Sequence, residues 1–232
     1  MNYFNKANKN LICLFSQTLL PGGTEKQVVY LASSLKKRNF NVIIVVLYPD
    51  NIDKNYYKIL NKYDIEIYEL KGKSLYSFIL LIRLLSKKKI DIIFTFLTLP
   101  GLIGAIAAKI ARVNHIIGNI RSSYLPKSKL IINRLIHNCL NQYTIINNQS
   151  GLEKFSTNRF RSTKFILIRN SVESIPDYND IMKSDKNVIP IIISVGRFEK
   201  VKDYYSALHA IKLLANEEIS FYYYILGYGS QK

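Results

Sequence analysis

Tryptophan is absent from this chain of 232 residues, and methionine (two), cysteine (two) and histidine (three) are nearly so. Cys13 and Cys139 lack the spacing of a zinc site or a disulfide framework, so two buried free thiols are expected. His115, His137 and His209 are scattered, and nothing pairs them with a cysteine or carboxylate at ligand spacing. No metal site is predicted. Long apolar runs are missing too: an apolar stretch without a charge such as Leu97 to Ala108 is well short of the roughly 20 residues a spanning helix needs. The start, MNYFNKANKNLICLF, shows no signal-peptide cleavage pattern, which points to a cytoplasmic protein.

Acidic residues are the scarcest relative to their opposites. There are 16 Asp and Glu against 33 Lys and Arg, a formal net charge of +17. From Ala105 to Asn170 eleven basic residues face a single acid, Glu153. A face this basic attracts phosphates, whether on nucleic acid, an anionic membrane or a phosphorylated substrate. No helix-turn-helix, zinc-finger or ribonucleoprotein signature accompanies the charge, which disfavours nucleic acid.

What is present is a hydrophobic content of 48%, ample for a core, arranged in a regular alternation. Short apolar runs, LICLF (11–15), NVIIVVL (41–47), IEIYEL (65–70), DIIFTF (91–96), HIIGNI (115–120), QYTIIN (142–147) and KFILIRN (164–170), read as strands. Helical patterns lie between them at 24–38, 74–88, 100–112, 127–140 and 149–157. Such alternation predicts an α/β, Rossmann-like domain with a parallel sheet over residues 1–170. Residues 171–187 are polar and aperiodic and read as a linker. Residues 188–232 open a second unit, strand (188–195), helix (204–215) and strand (219–227), which is incomplete as a Rossmann-like domain.

Two stretches carry candidate chemistry. After the first strand comes SQTLLPGGTEKQ, where Gly22 and Gly23 permit close backbone approach and the helix start offers N–H groups to an anion. The same residues fit a plain turn with Thr24 as N-cap. In SVGRFEKVKD, Arg197 follows a strand and glycine, and Lys202 lies five residues on, so the pair could clamp a diphosphate or stand as solvated surface cations. The segment PKSKLIINRLIHNCLN reads as a basic amphipathic helix, with Leu130, Ile131, Leu135, Cys139 and Leu140 on one side and Lys127, Lys129 and Arg134 among its polar positions. It fits an anionic membrane or an ordinary domain face.

In their order, PGGTEKQVVYLASSLKKRNFNVIIVVL, RNSVE and ISVGRFEKVKDYYSALHAIKLL resemble the family 4 glycosyltransferases of the GT-B fold, and IIGNIRSSYLP is similar to a stretch of their bacterial surface-polysaccharide members. The resemblance implies a retaining, metal-independent enzyme without a cofactor that moves a sugar from a UDP- or GDP-sugar to a glycan or polyprenyl-linked acceptor in cell-envelope polysaccharide assembly. It implies that Gly22 and Gly23 line the cleft near donor phosphates and acceptor, that Arg197 and Lys202 hold the diphosphate, and that Arg121 and Ser122 contact acceptor or phosphate. The family pattern continues past FYYYILGYG into an E-x7-E region, whereas this sequence stops at GYGSQK, so a donor domain cut short is expected. The alternative is a non-catalytic fragment, or an acceptor-binding subunit whose donor site a second chain completes. The expected location is the cytoplasm, peripheral to the inner face of the membrane.

Overall fold

The computed structural model describes residues 10–49, 52–70, 74–172, 189–217 and 219–230. The chain divides into two units, Met1–Glu173 and Ser174–Lys232. Most of the segment expected as a linker lies outside the described residues.

The first unit runs β1 (Leu11–Ser16), α1 (Gly23–Lys37), β2 (Asn41–Val46), α2 (Lys54–Lys62), β3 (Glu66–Glu69), α3 (Leu75–Lys87), β4 (Ile90–Phe96), α4 (Thr98–Ile110), β5 (His115–Ile120), α5 (Lys127–Leu135), β6 (Tyr143–Ile146), α6 (Gln149–Ser156) and β7 (Phe165–Leu167). All seven strands pair in parallel in the order β3-β2-β1-β4-β5-β6-β7. The strands of the centre are apolar on both sides because both sides are covered. Along β1 and β2, Ile12, Leu14, Ile44 and Val46 meet Val28, Val29 and Ala32 of α1 and Leu60 of α2. Their neighbours Cys13, Phe15, Ile43 and Val45 meet Leu81 and Leu85 of α3 and Ala105 and Ala108 of α4. Successive strand residues point to opposite faces, so one short run feeds two cores.

Helix α4 comes very close to the sheet. A Cβ at Gly104 would stand 2.6 Å from Phe15 Cδ1 and 2.8 Å from Thr95 Cγ2. Only a residue without a side chain allows that approach.

One element was missed and two expectations need correction. Helix α2 was not read from the sequence, although Asp53 caps it by accepting from the N–H groups of Asn55 and Tyr56. Cys139 is exposed, and only Cys13 is a buried thiol, with its pKa driven upward by burial. The third concerns the 127–140 helix. It ends in a π turn, Ile136–Leu140, and turns Asn133, Ile136 and His137 inward while Ile131, Leu135 and Cys139 face solvent. The extra residue of a π turn rotates the helical face away from the one a 3.6-residue period marks. Partners make the inward face possible: Asn133 Nδ2 donates to Thr98 Oγ1 at 2.9 Å, and His137, whose Nε2 lies 3.0 Å from Arg161 O while its Nδ1 stays unpartnered, stacks on Phe165 with ring centroids 4.2 Å apart.

The second unit comprises β8 (Ile191–Val195), α7 (Tyr204–Asn216) and β9 (Tyr222–Leu226), with β8 and β9 parallel. None of its described residues is buried. Ile191, Ile193 and Val195 pair in register with Tyr222, Tyr224 and Leu226, and all six are at least half exposed.

Candidate functional site

The chain leaves β1 toward β2 on one side and returns to lay β4 on the other, so strand order reverses between β1 and β4. In open parallel sheets, ligands sit outside the carboxyl ends of the strands at such a switch point. Two turns meet this point here, the 17–22 turn before α1 and the Leu97 turn before α4.

The first turn is held by polar contacts. Ser16 Oγ donates to Thr18 O at 2.9 Å, Thr18 Oγ1 donates to Glu25 Oε1 at 3.2 Å, and Tyr56 of α2 donates its hydroxyl to Gly22 O at 3.4 Å. Partial burial raises the Tyr56 phenol pKa, which keeps that donor protonated. Gly22, not Thr24, is the N-cap of α1, in extended backbone and with no side chain capping the helix. The helix therefore begins with unclaimed N–H groups and a positive dipole end. Thr24 stands inside the helix, so its reading as the cap is overturned. A Cβ at Gly22 would crowd only the flexible end of Glu25, with Leu20 O at an ordinary 3.8 Å, and one at Gly23 would meet nothing within 4 Å. The fold does not require glycine at 23; its smallness leaves the helix start open to a ligand.

Leu97 is a feature the sequence reading missed. It caps α4 with φ 73° and ψ 168°, a conformation almost reserved for glycine, and it has no side-chain cap. Such strain costs on the order of 1–3 kcal/mol and clusters at functional turns. No pattern in FTFLTLPG signals it, because leucine is the last residue to be expected there.

Arg121 follows β5 directly. Its guanidinium lies 5.7 Å from the Phe96 ring centroid, and its Nη1 donates to Asn170 Oδ1 at 2.5 Å at the exit of β7. Its buried Nε has no protein partner. Burial lowers the pKa of this guanidinium, and the charge of Glu25 pulls it partly back. A half-buried cation with one neutral partner is well prepared for an anion. Ser122 is committed locally: its Oγ donates to Tyr124 O at 2.6 Å and accepts from Tyr124 N at 3.2 Å. Gln27, one turn into α1, clamps the chain beyond β7, donating Nε2 to Ser171 O at 2.7 Å and accepting from Ser171 N at 2.9 Å. The structure thus brings Gly22, Gly23 and Arg121 to one rim, with Ser122 beside them in a closed turn.

Cavities mark two other places. One of about 620 Å³ lies at the amino ends of the strands, lined by Lys36, Glu66, Lys88 and Asp91, on the opposite edge of the sheet from the switch point. Another, of about 330 Å³, opens where β2 and β3 end and is lined mainly by Leu47, Leu70, Leu75, Phe78 and Ile103. No group of three or more metal-ligating side chains occurs among the described residues.

In the second unit, Gly196, Arg197 and Lys202 share the loop between β8 and α7. Gly196 lies so close beneath the lysine that a Cβ there would be 3.8 Å from Lys202 Cε and 3.0 Å from the Tyr204 hydroxyl. Arg197 Nη1 pairs with Glu199 Oε1 at 2.8 Å, the arginine well exposed and the glutamate partly so. An exposed pair within one loop is weak and exchangeable. Asp203, in left-handed backbone, caps α7 by accepting from Ser206 N.

Comparison with known proteins agrees with this fold. The sequence profile of Glycosyltransferase Family 4 matches residues 21–150, more than half of the chain. No curated protein matches the sequence. Among solved structures, HepE of Anabaena in complex with UDP superposes with a TM-score of 0.65 at 16% identity, over 94% of this chain and 69% of its own. The lipopolysaccharide outer core galactosyltransferase WaaB gives 0.68 at 16%, over 95% of this chain and 61% of its own. The S. aureus MnaA structure with UDP gives 0.56 at 13%, over 94% and 62%. This chain therefore spans about two thirds of the length of such structures, and at these identities the likeness is one of fold. Doubly wound sheet and sequence profile agree: the chain belongs to glycosyltransferase family 4.

Proposed function

We propose that the chain forms the acceptor-side domain and the diphosphate-holding loop of a retaining glycosyltransferase that takes a UDP- or GDP-sugar and a glycan or polyprenyl-linked acceptor in cell-envelope polysaccharide assembly. The observation that carries this reading is Gly23, a glycine for which the fold has no need, beside an uncapped helix start and the half-buried Arg121 at the switch point. Gly22 and Gly23 let a sugar or phosphate reach the N–H groups of α1. Arg121 meets an anionic part of donor or acceptor. Arg197 and Lys202 hold the diphosphate and stabilise it as it departs, with the Arg197 fork exchanging Glu199 for phosphate oxygens. Ser122 shapes the turn after Arg121. The UDP in the HepE and MnaA structures supports a nucleoside-diphosphate donor.

The site works at the cytoplasmic face of the membrane. No helix among the described residues is long and apolar enough to cross it. The outward side of α5 and its π turn instead pairs Ile131 and Leu135, each at least half exposed, with Lys127, Lys129 and Arg134. This combination supports peripheral contact with anionic lipid.

A second reading, a non-catalytic fragment or acceptor-binding subunit completed by another chain, is favoured by the bare apolar face of β8 and β9. A transfer assay separates the two, using labelled UDP- and GDP-sugars with bacterial lipid extract as acceptor. Transfer by the isolated chain, lost in Arg197→Ala, supports the enzyme. Absence of transfer from a chain that still binds UDP or GDP supports the subunit.

A further inference from the structure

Behind the switch point lies a cluster of buried polar side chains that the proposed reaction does not use. Thr95 of β4, Asn119 of β5, Thr144 of β6 and Asn141, which follows the π turn, are all at least nine-tenths buried. They surround a cavity of about 10 Å³, closed by Leu97, Gly101 and Gly118 among others. Part of the network is complete within the protein: Asn119 Nδ2 donates to Thr95 O at 3.3 Å, and Asn141 Nδ2 donates to Thr144 Oγ1 at 3.1 Å. Two buried atoms of residues lining the cavity, Thr95 Oγ1 and Asn141 Oδ1, find no protein partner. Rotating the Asn141 amide only exchanges the unpaired oxygen for an unpaired N–H pair. Asn141 packs directly on the backbone of Gly118, where a Cβ would stand 2.2 Å from Nδ2.

An unpaired polar atom in such surroundings is costly, and two of them at one cavity define a small polar ligand. The volume is that of a single water molecule, which needs roughly 10–15 Å³ and two to four polar partners. Water alone combines that size with the ability to donate to Asn141 Oδ1 and to exchange a hydrogen bond with Thr95 Oγ1. We infer that Thr95 and Asn141 bind one internal water that bridges the end of β4 to the exit of the π turn and fixes the rim beside Leu97 and Arg121. Leu97, strained and uncapped, is two residues from Thr95, and Arg121 is two residues from Asn119. The water thus acts as a positioning ligand for both turns of the rim.

A crystal structure of the chain at about 1.5 Å tests the site, together with water-to-amide NOE spectroscopy and hydrogen exchange on Thr95→Val and Thr95→Ser. The expected result is one ordered water within about 3.2 Å of Thr95 Oγ1 and the Asn141 side chain, and a long-lived water NOE at the Asn141 amide. Thr95→Ser retains both. Thr95→Val, nearly isosteric, loses both and speeds amide exchange at residues 119–121 at least tenfold. Should Thr95→Val fail to fold, the parent structure and Thr95→Ser decide. A dry cavity, a cavity closed by a different Asn141 rotamer, or unchanged rim exchange in a folded Thr95→Val overturns the inference.

Discussion

Two glycine-to-alanine changes should act in opposite ways, and the contrast tests the architecture and the site together. At Gly104 the new methyl would fall 2.6 Å from Phe15 Cδ1 and 2.8 Å from Thr95 Cγ2, and both neighbours are fully buried. With two contacts under 3 Å, overpacking here costs about 2–3 kcal/mol, the upper part of the usual range, and alanine returns nearly 1 kcal/mol of helix propensity. The net loss is about 1–2 kcal/mol, which for a unit of this size lowers Tm by roughly 2–8 °C. At Gly23 nothing lies within 4 Å of the added atom, so the same change should leave Tm level or raise it by a degree or two, while sugar transfer or nucleotide binding falls. Thermal unfolding followed by circular dichroism reads both. A Gly104→Ala protein as stable as the parent would refute the close seating of α4 on Phe15. A Gly23→Ala protein that unfolds earlier would show that this glycine serves the fold.

Further expectations concern single positions. Arg112 is exposed and left-handed at φ 57° beyond the end of α4, so Arg112→Gly should stabilise by about 0.5–1 kcal/mol in urea unfolding. Lys164 donates its Nζ to the carbonyls of His137, Asn138 and Asn141 at 3.2, 3.0 and 2.7 Å, closing the π turn; Lys164→Met should cost about 2–3 kcal/mol in the same assay. Burial lowers the pKa of His137 below its ordinary 6.5, so the unfolded chain takes up this proton more readily than the folded one. Its contribution is therefore complete above pH 6.5 and is lost as pH falls toward the lowered folded value. Tm measured at pH 7.5 and 5.5 should drop less in His137→Gln than in the parent.

Much of the fold was legible because buried parallel strands are apolar throughout. LICLF and NVIIVVL declare themselves without reference to the rest of the chain. Helix α2 escaped because KNYYKILNK is mostly polar, although Tyr56, Ile59, Leu60 and Tyr63 keep helical spacing and Asp53 stands at the cap. The inward face of α5 could not be read from hydrophobicity. Asn133 and His137 are buried through partners distant in sequence, Thr98 and the Phe160–Phe165 aromatic pair. Of the site, Gly22 and Gly23 were visible as punctuation between strand and helix. Arg121 was visible only through the family resemblance, since its surroundings come from Phe96 at the end of β4 and Asn170 beyond β7. Leu97 had no signal, for strain appears where the local preference of a residue is overruled by its surroundings.

The central claim is that this chain handles a nucleoside-diphosphate sugar, and calorimetric titration of UDP and GDP into the parent and Arg197→Ala proteins tests it most directly. The account expects saturable binding of one of them, weakened at least about tenfold by the loss of a charge-assisted hydrogen bond and reduced by salt. Absence of binding by both nucleotides, or equal binding by the Arg197→Ala protein, would contradict it.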